Sequence, residues 1–176
     1  SRELAARLGF ERMDFLATTV QQALSHPDLP PRIDVVTALH ACDTATDDAI
    51  AFGLAKDASH LVLVPCCQAE VAGVMKKHKA LSLARTPLAE LWRHPLHTRE
   101  FGSQITNVLR CLQLEAHGYS VTVTELVGWE HSLKNELILA RRMALDRTGA
   151  RERARQRLQQ VLEELNLQEL SQRFAV

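Results

Sequence analysis

Apolar positions along this chain change rhythm several times, and each change marks an element. The β-branched runs Ile33-Asp-Val-Val-Thr-Ala-Leu39 and His60-Leu-Val-Leu-Val64 have the length and composition of buried strands. Between them an alanine-rich stretch predicts a helix from about residue 44 to 56. Upstream, residues 2 to 9 read as a short helix closed by Gly9, and Met13-Asp-Phe-Leu-Ala17 reads as a strand. Strands alternating with helices predict crossover units and a parallel sheet.

After Gln68, Val71, Val74 and Met75 sit at helical spacing, and residues 82 to 95 form irregular, proline-bounded pieces. From Thr98, the residues Phe101, Ile105, Val108, Leu109, Leu112 and Ala116 trace the apolar stripe of a helix that Gly118 closes. The period then drops to two: Tyr119, Val121 and Val123 alternate with Ser120, Thr122 and Thr124, a loop spans 128 to 135, and Leu137-Ile-Leu-Ala140 returns. This predicts a terminal antiparallel strand pair. The last third is a long helix with Leu158, Val161, Leu162, Leu165 and Leu170 on one face.

Composition narrows the class without choosing a function. The 176 residues, 46% hydrophobic and 24% charged, suit one soluble domain. Twenty-one basic and 21 acidic residues cancel, so attraction to nucleic acid or to a membrane surface must be local. No apolar run approaches the roughly 20 residues of a membrane helix, and the charged opening lacks the core of a secretory signal. A cytoplasmic location is expected, with the four cysteines kept as thiols. Seven arginines, at 141, 142, 147, 151, 153, 155 and 157, form either an RNA-facing strip or a solvated helix face.

Candidate chemistry gathers where the two central strands end. His40-Ala-Cys-Asp-Thr-Ala-Thr-Asp47 follows the first and Pro65-Cys-Cys-Gln68 the second. Carboxyl ends of parallel strands are where open α/β sheets bind ligands. Cys42, Asp43, Cys66 and Cys67 are therefore expected at one crevice. Asp43 is either a general base or the amino-terminal cap of the helix that follows. Cys66 and Cys67 have three readings: pocket lining, a functional thiol, or zinc ligands with His40 and Cys42. Adjacent cysteines without a C-x-x-C knuckle argue against zinc, so no metal is expected. In the hairpin loop, Trp129, Glu130, His131, Lys134 and Asn135 either border a substrate or shape a turn. His94 and His97 flank Pro95 and read as surface residues.

These motifs, with Ser132-Leu-Lys-Asn-Glu-Leu-Ile138, resemble the class I S-adenosylmethionine-dependent methyltransferases. Within that class they resemble the group that includes the methyltransferase domain of glutathione S-transferase C-terminal-domain-containing proteins. The resemblance covers about residues 10 to 142. It implies a Rossmann-like seven-stranded sheet, with S-adenosylmethionine over the first strands and the substrate over the fourth and fifth. By that analogy Ala17 and Thr18 lie near the adenine and Leu39 and His40 near the methionine part. Asp43, Cys66 and Cys67 are then the catalytic candidates, and Pro65, Trp129, Lys134 and Asn135 border the substrate.

The chain also departs from that pattern. Its seven glycines never stand two apart, so the glycine-rich turn is missing, and so is the acid that grips the ribose. The expected fold is therefore an incomplete class I sheet, with parallel strands, the antiparallel hairpin and a long carboxyl-terminal helix. Residues 1–145 read as the carboxyl-terminal part of a methyltransferase domain and 146–176 as a helical extension. The expected function is methyl transfer to RNA or protein, with the cofactor held weakly by this chain alone. A different class of function is a non-catalytic interaction module whose leucine face pairs with a partner helix. A thiol oxidoreductase is disfavoured by the absence of a C-x-x-C pair and of a dinucleotide fingerprint. Missing strands would leave open sheet edges, so self-association through an edge or through the last helix is expected.

Overall fold

The computed structural model describes every residue except 1, 67, 79–85, 129, 131–134 and 145–147. Four strands form one sheet: β1 (Val35–Leu39), β2 (His60–Val64), β3 (Tyr119–Glu125) and β4 (Glu136–Arg142). β1 runs parallel to β2, pairing Val35 with His60 and Leu39 with Val64. The crossover between them is α3 (Ala45–Ala55), which packs close enough that a Cβ on Gly53 would stand 2.7 Å from Leu61 Cδ2.

Sheet order is β1-β2-β4-β3, so the return strand of the hairpin inserts next to β2 rather than lying outermost. β4 is antiparallel to both neighbours, pairing Leu63 with Ile138 on one side and Val121 with Ala140 on the other. That position buries Ile138 and Ala140 with Leu61, Leu63 and Tyr119. Tyr119 also donates its hydroxyl to the Ala58 carbonyl at 2.6 Å.

The expected strand at Met13–Ala17 does not form. Those residues take no regular secondary structure and have no partner strand, and the Arg2 guanidinium donates to the Phe15 carbonyl at 2.6 Å. A segment with nothing to pair with has no ladder to join. It lies between two short helices, α1 (Arg2–Arg7) and α2 (Val20–Ala23).

A second core lies among α4 (Glu70–His78), α5 (Pro95–Ala116) and α6 (Thr148–Glu164). Val71, Val74 and Met75 of α4 meet Leu109 and Leu112 of α5 and Leu158 and Leu162 of α6. Leu165, Leu167, Leu170 and Phe174 complete this core. The leucine face that sequence offers to a partner helix is thus covered by the chain's own helices. At the crossing of α4 and α5, a Cβ on Gly102 would stand 2.6 Å from Ala72 Cβ and 2.7 Å from its Cα. Only glycine permits that approach.

Candidate functional site

The carboxyl ends of β1 and β2 do converge. The His40 amide donates to the Val64 carbonyl at 3.0 Å, carrying the parallel pairing one step past the strand. The chain then turns through two non-glycine residues in the left-handed region, His40 at φ +52° and Asp43 at φ +48°. Each such residue costs of order 1–3 kcal/mol and persists only where its surroundings hold it. Here Thr46 Oγ1 donates to the Ala41 carbonyl at 2.7 Å and Arg110 Nη2 to the Asp43 carbonyl at 2.8 Å.

Cys42 and Cys66 leave adjacent strands and bring their sulfurs to 3.1 Å. Asp43 does not cap its own helix. Thr44 holds that position without a side-chain bond, while Asp43 Oδ1 accepts from the Ala69 amide at 3.3 Å, at the entrance to α4. Its carboxylate thus ties the end of β1 to the segment that follows β2. Leu39 and His40 are exposed at the same strand end.

Ala17 and Thr18 are not carried to a strand end, because Met13–Ala17 is not a strand. Thr18 instead serves the start of α2, its hydroxyl donating to Gln22 Oε1 at 3.1 Å. Cys67, Trp129 and Lys134 lie outside the described residues. Pro65, Cys66 and Asn135 border a cleft of about 390 Å³, whose other walls include Gln68, Ser103, Asn107, Glu100, Glu125 and Glu136. Asn135 both lines the cleft and shapes the hairpin, donating Nδ2 to the Val127 carbonyl at 2.5 Å. Asp43 is not among the residues lining this cleft.

Behind the cleft runs a polar network that the sequence motifs alone do not announce. Arg110, fully buried, donates Nε to Asp47 Oδ1 at 2.6 Å, Nη2 to Asp47 Oδ2 at 3.0 Å and Nη1 to Asn107 Oδ1 at 3.1 Å. Asn107 accepts from Gln68 Nε2 at 3.0 Å and donates to Glu136 Oε2 at 2.8 Å, and Ser103 donates to Gln68. A bidentate guanidinium fixes both partners in geometry as well as in energy. The network therefore locks the β1 loop, α5 and the start of β4 into one frame. Its signal in sequence was an arginine inside the apolar stripe of a helix.

Among the described residues, no three histidine, cysteine, aspartate or glutamate side chains cluster as a metal site, and no helix is long and apolar enough to cross a membrane. Cys111 is half-buried against the sheet core: burial, reinforced by Glu136 and Glu115, pushes its thiol up to about 12. Four of the arginines are engaged within the fold: Arg142 with Asp57, Arg151 with the Ala116 carbonyl, Arg155 with Glu152 and Arg157 with Glu115.

A family model described as a methyltransferase domain matches residues 1–74. The match spans β1, α3, β2 and both loops that carry Cys42, Asp43 and Cys66, and it supports a methyltransferase domain there. Comparison with curated proteins and with solved structures gives no match. The residues at the β1 end do not by themselves enclose S-adenosylmethionine. β1 has no strand beyond it among the described residues, and the loop after it is held by side chains rather than opened by glycine.

Proposed function

We propose that the chain forms the acceptor side of an S-adenosylmethionine-dependent methyltransferase, of the group that includes the glutathione S-transferase C-terminal-domain-containing proteins. The observation that carries this reading is the meeting of the His40–Asp47 and Pro65–Gln68 loops at adjacent parallel strand ends, within the segment that the methyltransferase-domain model matches. Methyl transfer asks for a positioned acceptor and, where the acceptor carries a proton, a base. In this reading Pro65, Cys66 and Asn135 shape the acceptor cleft, and Glu136, oriented by Asn107, is the carboxylate best placed to receive a proton. Asp43 then positions the loop rather than meeting the acceptor.

The cleft favours a protein acceptor over RNA. Among the described residues, Glu100, Glu125 and Glu136 line it without a lysine or arginine, which suits a basic side chain and repels phosphate. The rival reading of a module that docks a partner helix loses its support, because the leucine face is buried.

Titration of the chain with S-adenosylmethionine, followed by backbone amide shifts, tests the proposal. Weak binding, without saturation below about 1 mM, with shifts confined to residues 39–43 and their neighbours is expected. Shifts confined to other surfaces would overturn the reading, and micromolar affinity would show that the β1 end encloses the cofactor after all.

A further inference from the structure

We infer that Cys42 and Cys66 are a redox pair that closes reversibly into a disulfide across the ends of β1 and β2. Their sulfurs stand 3.1 Å apart, so bond formation at about 2.05 Å needs a movement of only about 1 Å. The two residues follow the ends of adjacent parallel strands, paired up to Leu39 and Val64.

Access is graded in the way such a reaction needs. Cys42 is exposed and meets an oxidant first, while Cys66 is half-buried beside it. With hydrogen peroxide as oxidant, the Cys42 thiolate attacks one oxygen, the O–O bond breaks and the departing hydroxide takes up the proton the thiol released, giving a sulfenic acid and water. The Cys66 thiolate then attacks that sulfur, the S–O bond breaks, the S–S bond forms and the departing hydroxide takes up the proton released by the Cys66 thiol, giving a second water. Two thiols are oxidised and one peroxide is reduced to two waters. A dithiol reductant reverses the step by exchange.

The bridge acts on the loop that carries the two strained residues. In the reduced protein that loop is held by the Thr46, Arg110 and Ala69 hydrogen bonds. Oxidation adds a covalent tie and draws the Cys66 sulfur towards Cys42 and away from the cleft that Cys66 lines. Bridges of this kind in reducing compartments are transient and regulatory rather than structural.

The test is read on peptide masses, so it succeeds or fails independently of methyl transfer. The full chain is treated with excess hydrogen peroxide or glutathione disulfide, its remaining thiols are alkylated, and it is digested without reduction. A peptide pair joining Cys42 to Cys66 is expected, lost on adding dithiothreitol and absent from Cys42→Ser, while Cys111 stays a thiol. The wild-type map alone decides the matter if the variant fails to fold. Alkylation of both Cys42 and Cys66 after oxidation, or a bridge joining Cys66 to Cys67 or to Cys111, would overturn the inference.

Discussion

The first 30 residues and the last 30 are similarly supplied with large apolar side chains, yet they are packed in opposite ways. Near the amino terminus Leu4, Leu8, Phe10, Met13, Leu16 and Val20 are all exposed, and Ala5 is the sole buried residue of α1. Near the carboxyl terminus Leu158, Leu162, Leu165, Leu167, Leu170 and Phe174 are all buried. The difference lies in what each segment meets. α6 lands on a groove already built by α4 and α5, whereas among the described residues α1 packs on no other helix or strand to a comparable extent. Apolar spacing states that a face can be buried; only a complementary surface buries it. The methyltransferase-domain match covers the loosely packed opening and also β1, α3 and β2, whose Ile50, Leu61 and Leu63 are fully buried, so the loose packing is confined to the first part of the matched half.

The largest effect is expected at the junction between the halves, where Arg110 of α5 holds Asp47 of α3. Arg110→Ala leaves a buried carboxylate without its guanidinium and should cost about 3–5 kcal/mol, whereas replacing both partners by apolar residues of similar volume should cost much less. Chemical denaturation of the three proteins measures this. Equal losses in the single and double variants would show that packing volume, not the charge pair, joins the halves.

Next is the contrast itself. Leu162→Ala should destabilise the protein by about 2–5 kcal/mol, and Leu8→Ala should stay within about 0.5 kcal/mol. Comparable losses at both sites would mean that the amino-terminal leucines find a partner in solution, and the comparison would collapse.

Sequence reading succeeded wherever an element makes its own case. The runs at 33–39 and 60–64, the alternation from Tyr119 and the long helices are each determined by local period, and the structure has them. It failed where an element depends on a neighbour. Met13–Ala17 has strand-like residues but nothing to pair with, and the return strand's place beside β2 is a property of the whole sheet. On α5, Val108 counts in the apolar stripe and is exposed, while Arg110, set among the stripe's leucines, is fully buried. The helix is turned so that its arginine reaches Asp47, a pairing 63 residues away in sequence that no spacing rule reveals. Within the site, Cys42 and Cys66 were legible because both follow recognisable strands, and Asp43's bond to Ala69 was not, since it joins two loops.

A smaller effect concerns the open edge. β1 pairs on one side with β2 and presents Val35 and Leu39 on its uncovered face at 49% and 63% exposure. Unpaired edges with exposed apolar residues recruit other chains unless charge or proline blocks them. We predict self-association in the micromolar range through this edge, weakened by Thr37→Lys. Light scattering against concentration checks it, and a monodisperse monomer for the unaltered chain would mean that the edge is protected.

The smallest effect tests how tightly the carboxyl-terminal half is sealed at Cys111. Burial, with Glu136 and Glu115 nearby, raises its folded pKa from 9.0 to about 12. The folded state therefore keeps a proton that the unfolded chain releases between these values, so rising pH favours the unfolded chain there. Cys111 contributes no penalty below pH 9.0, and stability should fall progressively as pH rises from there towards about 12. Cys111→Ala should flatten that alkaline slope while lowering stability at neutral pH through the small cavity it leaves. Denaturation midpoints between pH 8 and 11 in both proteins measure it. An identical slope in the variant would show that water reaches the sulfur, and the well-packed half would be more open around α5 than its buried leucines indicate.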